Sequence, residues 1–232
     1  VGSGNQGTPN VVKIGSEFFS DMYSVQDSTG FFVNNNISVV GNFRDIEAVS
    51  LIKFSNLPDS NFVVSEDLEL TIVKKQTNPI VVDNFDFKIG VLKQDWIINQ
   101  TDWFNVSEDS LWTENWDTEG NYILIKEFSH DFALSDTLKV SLEWELISEN
   151  YQLLKNNGLV LLTNDQDGRF IEFYGLNSAY PPNLSFSYVS GEQEIEYQLS
   201  FLRFIFIHSF TDNLEKFQDQ VMISQIIPTS PF

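Results

Sequence analysis

Two histidines and no cysteine limit the catalytic chemistry open to this chain. A Ser-His-Asp relay needs an imidazole to carry the proton, so it would have to use His130 or His208. His208 stands in the apolar run Phe206-Ile207-His208-Ser209-Phe210, where a packed or strand-edge histidine is expected. His130 lies in Ser129-His130-Asp131, which reads as a turn. There is no Gly-x-Ser-x-Gly elbow, no phosphate-cradling glycine loop and no His-x-x-x-His zinc spacing. Paired carboxylates could hydrolyse glycosides, but among 33 Asp and Glu close pairs arise by chance and none stands out. The inventory points away from an enzyme and toward binding or assembly.

Three groups of residues could bind rather than react. Asn164, Asp165 and Asp167, followed by Gly168, offer closely spaced oxygens of the kind calcium takes. The loop lacks the later Glu of an EF-hand. A plain hairpin turn explains the same residues, because Asn, Asp and Gly accept left-handed backbone conformations. The cofactor expectation is therefore none, with calcium as the one alternative. Next, Trp96, Trp103, Trp112 and Trp116 fall within 21 residues, beside Phe104. Aromatic rings stack on the C–H faces of pyranoses and suit interfaces in general, and the Asp, Asn, Thr and Glu of residues 93–121 could bond hydroxyls. Trp103, Trp112 and Trp116 are the candidates for a sugar platform; burial in a core is the other use of each.

The third group is the segment Leu199–Phe210. It carries large apolar residues on both faces of a would-be strand, so it needs cover on both sides. Phe201, Phe204, Phe206 and Ile207 are therefore assembly candidates. The strand either packs on its own sandwich or is donated to a neighbouring copy, since apolar edge strands invite pairing. Asn-x-Ser/Thr sequons begin at Asn36, Asn99, Asn105 and Asn183, at a frequency that an Asn- and Ser-rich chain reaches by chance.

Charge narrows the partners. Thirteen Lys and Arg against 33 Asp and Glu give a formal charge of −20. Such a surface repels nucleic-acid phosphates and anionic lipid. Solubility accounts for the charge, and so does a cationic partner. Without cysteine there is neither a disulfide nor a thiolate metal site. No run approaches the roughly 20 apolar residues of a membrane helix. The Gly-rich start, residues 1–17, reads as a linker or tail.

The elements that must hold these groups are strands. Aromatic and β-branched residues suit pleated surfaces, and 21 Phe favour β structure before any pattern is read. Period-2 alternation marks strands at 37–41, 50–54, 68–73, 85–92, 122–126, 138–144, 158–162, 169–174 and 183–189. About nine strands at this spacing predict an all-β, antiparallel two-sheet sandwich. Helical signals are few: residues 131–134 and 148–155 could each make a turn or two. Residues 190–232 form a C-terminal extension, with further strand signals at 199–210 and 221–227.

The order of the pieces resembles the DNRLRE family of carbohydrate-binding-module-like and disaggregatase-related domains. Ser20-Asp21-Met22-Tyr23 leads to Phe32-Val33-Asn34-Asn35-Asn36 and Val39-Val40-Gly41. Arg44 then precedes Leu51-Ile52-Lys53-Phe54-Ser55-Asn56-Leu57-Pro58. Trp96, Trp112-Thr113-Glu114 and Trp116 match the family's middle. Gly168-Arg169-Phe170-Ile171-Glu172-Phe173-Tyr174 and Pro182-Asn183-Leu184-Ser185-Phe186-Ser187-Tyr188 match its end. The resemblance covers residues 18–189; Ser55 stands where the family usually has Asp. It implies a jelly-roll-like sandwich on a secreted or cell-surface protein, associated with polysaccharide. Two functions are expected from these features. One is a non-catalytic extracellular module that attaches to polysaccharide or matrix polymer. The alternative is a self-assembling subunit of an extracellular filament or surface layer, held by its tails and C-terminal strand.

Overall fold

A computed structural model describes residues 29–32, 37–43, 46–58, 63–64, 67–78, 84–98, 100–114, 116, 119–163, 169–190 and 193–210. The expected linker at 1–17, the loop at 164–168 and the strand signal at 221–227 lie outside the described residues. The chain runs β1 (Thr29–Phe32), β2 (Ile37–Phe43), β3 (Ile46–Phe54), β4 (Val63–Val64), β5 (Leu68–Asn78), β6 (Asn84–Leu92), β7 (Asn105–Ser107), β8 (Ser110–Leu111), β9 (Tyr122–Asp131) and β10 (Thr137–Leu142). It continues through α1 (Trp144–Glu149), α2 (Tyr151–Asn157), β11 (Leu159–Thr163), β12 (Phe170–Tyr174), β13 (Asn183–Ser190) and β14 (Gln193–Phe210). The fold is all-β and sandwich-like, and every strand pairing among the described residues is antiparallel.

Its two layers are parts of one curled twelve-stranded sheet. Two long strands pass from layer to layer. The first half of β5 pairs with β10 and β13, and its second half with β12. Likewise β14 pairs first with β13, then with β3 on one side and β1 on the other. In the larger layer β3 is bordered opposite β14 by β2 and then by β11; β2 continues to β12, and β11 continues to β6 and β9. Between the layers lies the main core. Phe85, Phe87, Ile89, Leu159, Leu161, Phe173 and Phe204 come from one layer, and Leu70, Leu138, Val140 and Leu184 from the other. Phe87 stacks on Phe128 with ring centroids 5.3 Å apart.

Burial explains why the strands read differently. In β10 buried and less buried residues alternate, as a strand with one wet face should. Leu159 to Leu162 of β11 are all buried, and so are Ala48 to Ile52 of β3. These strands are covered on both faces and accordingly read as unbroken apolar runs. Leu159, Leu161 and Ile52 enter the main core; Val160, Leu162, Val49 and Leu51 enter a second cluster on the far side of the sheet.

The helical signal at 148–155 corresponds to two short helices, and Trp144, expected at a strand end, begins the first. Residues 132–134 form a turn rather than a helix. Gly158 follows α2 at φ +86°, and a Cβ there would stand 1.9 Å from the Ile52 carbonyl oxygen. Only glycine allows both that backbone angle and so close an approach.

The segment Leu199–Phe210 belongs to β14 and packs on its own sandwich. Phe204 is fully buried in the main core and Ile207 in the second cluster. Three positions apart on a strand, they face opposite sides. Of the two uses expected for this segment, packing on its own sandwich is the one Phe204 and Ile207 take, so the chain's own two cores, not a neighbouring copy, cover these two assembly candidates. Phe201 pairs in register with Phe54, and Phe206 with Ser50 and Phe32.

Candidate functional site

The long connection between β6 and β9, residues 93–121, builds the feature most suited to binding. Its ends are neighbours: Leu92 pairs with Tyr122, and the Lys93 amide donates to the Asn121 carbonyl at 2.9 Å. Between them the chain folds into a layer over the outer face of the larger sheet. Trp96, Trp103, Val106, Trp112 and Trp116 pack there against Val49, Leu51, Val160, Leu162 and Ile207. β7 and β8 form its small hairpin, closed by a turn at Glu108 and Asp109.

The indoles hold this layer together. Trp112 meets Trp116 edge-on at 4.7 Å between ring centroids, and Trp103 lies 6.1 Å from Trp116. Their N–H groups are satisfied internally. Trp112 donates to the Asp102 carbonyl at 2.9 Å, Trp116 to the Trp103 carbonyl at 3.2 Å and Trp96 to the Asn157 carbonyl at 2.9 Å. Lys53 of β3 reaches the Asp95 carboxylate and lies 5.4 Å from the centre of the Trp96 ring. Buried polar groups complete the frame. The Thr101 hydroxyl bonds the carbonyls of Ile97 and Val106, and the side-chain amide of Asn121 closes on the backbone of Glu114.

This geometry corrects the expectation of an exposed Trp platform. Trp103, Trp112 and Trp116 are buried, at 7%, 6% and 2% exposure. The physical reason is that the outer faces of β3 and β11, with Leu92 of β6 and Ile207 of β14, are apolar and require cover, and the indoles supply it. What the layer turns outward is a neighbour of three of its Trp residues. Ile97 beside Trp96 is 49% exposed, Phe104 beside Trp103 is 50%, and Leu111 beside Trp112 is 67%. In Leu111-Trp112, which runs on from β8, successive residues point to opposite sides; in Trp103-Phe104 a bend just before β7 turns the indole in and the Phe ring out. The Trp-Ile, Trp-Phe and Leu-Trp doublets are the sequence signal for these three residues.

Both outer edges of the hairpin are occupied. The Ile97 amide bonds the Val106 carbonyl at 3.0 Å. Gln94 serves the other edge: its Oε1 accepts from the Thr113 amide at 2.9 Å and its Nε2 donates to the Leu111 carbonyl at 3.2 Å. Asp102 fixes the hairpin's base by accepting from the amides of Phe104 and Asn105, at 2.7 and 2.8 Å. The Asn105 side chain also donates to Asp102, which engages that sequon's amide nitrogen.

Elsewhere, His130, read from the sequence as part of a turn, stands near the end of β9 paired with Phe85, its Nε2 2.9 Å from the Ser135 carbonyl and its ring edge-on to Phe132. His208 pairs with Ala48 and Gly30 in the ladder. Asn164, Asp165 and Asp167 lie outside the described residues. Among the described residues, no three His, Cys, Asp or Glu gather as metal ligands, and no helix is long and apolar enough to cross a membrane. Compared with protein-family models, with curated proteins and with solved structures, the chain gives no significant match.

Proposed function

We propose that this chain is a non-catalytic extracellular or cell-surface module that attaches to a polysaccharide or matrix polymer, with the outer surface of the Trp-cored layer as its contact face. One observation carries the reading: a rigid, internally satisfied layer spends its indoles on packing and still holds three large apolar side chains outward. A half-exposed Phe on a fixed hairpin is suited to stack on a sugar face, because its position is already set before a ligand arrives. The resemblance of residues 18–189 to carbohydrate-binding-module-like domains supports the same reading. Self-assembly through the C-terminal strand is less favoured, because Phe204 and Ile207 are used within the chain.

The test is retention of the full chain on a panel of soluble and insoluble polysaccharides, by affinity electrophoresis and co-sedimentation. Phe104→Ala and Leu111→Ala should weaken retention while leaving the melting temperature near that of the parent, since both side chains are exposed. Failure to bind any polymer in the panel, or binding indifferent to both substitutions, would refute the proposal.

A further inference from the structure

The same hairpin carries information about which polymer it would take. Glu108 and Asp109 are exposed at its tip, between β7 and β8. Among the described residues of 93–114 there are five Asp and Glu against a single basic residue, Lys93, whose Nζ is committed to the Glu119 carbonyl at 2.7 Å. Asp95 is neutralised by Lys53, and Asp102 is bound to the hairpin's own amides. Glu114, the fifth, lies beyond the hairpin's second strand, so Glu108 and Asp109 are the carboxylates displayed at the hairpin's tip, on a chain whose formal charge is already −20. Such a face repels uronate and sulfate polymers; the hydroxyls of a neutral polymer can donate to its carboxylates but leave their charge unpaired. An ammonium group, in contrast, forms charge-assisted hydrogen bonds with carboxylates.

We infer that the occupant is a cationic, amine-bearing polysaccharide, stacked on Phe104 and held at its amino groups by Glu108 and Asp109; the inference rests on the polysaccharide-binding reading above. Phe104 and Glu108 are four residues apart along the hairpin, or about 13 Å at about 3.3 Å each. A polymer lying along the hairpin therefore meets ring and carboxylates together. A basic peptide is the competing occupant. Its common route is to add a strand to a free sheet edge, and both edges of this hairpin are taken, one by Ile97 and the other by Gln94. A flat sugar chain needs no free edge.

The experiment measures full-chain binding to partly deacetylated poly-glucosamine, to its fully acetylated form and to polylysine, at a pH where amines and carboxylates are both charged. The parent should prefer the deacetylated polymer at least tenfold over the acetylated one, and the preference should fall as salt is raised. Glu108→Gln with Asp109→Asn, both at exposed positions, should erase the preference while the melting temperature stays unchanged. Phe104→Ala should cost about fivefold on the deacetylated polymer, as expected for one stacked ring, and leave polylysine binding unaltered. Equal binding of the two glucosamine polymers would overturn the inference and leave the polysaccharide reading standing. Absence of binding to every polysaccharide would overturn both. Polylysine binding that is as tight as that of the deacetylated polymer and equally sensitive to Phe104→Ala would overturn it in favour of a peptide.

Discussion

The indole nitrogen of Trp96 donates to the main-chain carbonyl of Asn157 across 2.9 Å, while the side-chain amide of Asn157 donates to the carbonyl of Leu92 at 3.0 Å. Both residues are buried. Through this pair the outer Trp layer, the end of α2 and the end of β6 are held as one body. The outward face can therefore keep its shape without a ligand.

Removing that bond has a defined cost. Trp96→Phe keeps most of the ring but leaves a buried carbonyl unpaired, which costs about 1–3 kcal/mol. Trp116→Ala, which empties the centre of the layer, should cost about 3–5 kcal/mol. Urea unfolding followed by circular dichroism should show lower midpoints in that order.

Gly158→Ala should be among the most damaging single-methyl changes in the chain. The residue's φ of +86° strains any L side chain, and the added carbon would overlap the Ile52 carbonyl. The conformational penalty alone is about 1–2 kcal/mol, and the overlap adds to it. A variant that melts within a degree or two of the parent would contradict this account of the α2–β11 junction.

Stability should fall at alkaline pH through Tyr122. Burial in the second cluster raises its phenol above the ordinary value, and the nearby carboxylates of Glu119 and Glu127 push the same way. The fold thus favours the neutral phenol. Its contribution is complete below the unfolded pKa of about 10 and is lost as pH rises through the raised folded value. Chemical denaturation across that range should show the decline, and Tyr122→Phe should reduce it.

Ending the chain at residue 192 should destroy the fold rather than alter an assembly state. The truncation removes β14, which pairs with β1, β3 and β13 and carries Phe204 and Ile207 into the two cores. The subtler variant Phe204→Ala should cost about 3–5 kcal/mol. Thermal melts with light scattering distinguish the outcomes: a truncated chain that stays folded and monomeric would show that β14 is dispensable.

The strands were legible because alternation is a local property. Leu138-Lys139-Val140-Ser141-Leu142 declares one wet and one dry face with no knowledge of its partner, and it forms β10. Strand ends were less legible. β5 continues to Asn78, through Lys74-Lys75-Gln76-Thr77, because the ladder to β12 supplies hydrogen bonds that polar residues accept as readily as apolar ones. The β7–β8 hairpin gave little warning, since its strands are two and three residues long.

The site divides along the same line. By itself the sequence determined an acidic, cysteine-free, aromatic-rich β protein, and it placed four Trp in one segment beside three apolar neighbours. It also determined that Leu199–Phe210 needs cover on both faces. Tertiary structure alone decided that the Trp residues face inward and Ile97, Phe104 and Leu111 outward, and that the cover for Phe204 and Ile207 comes from the same chain. The reason is that alternation assigns two sides to an extended segment without saying which of them meets a neighbour. That choice depends on the apolar outer surface made by β3, β11, Leu92 and Ile207, which exists only once strands far apart in sequence have paired.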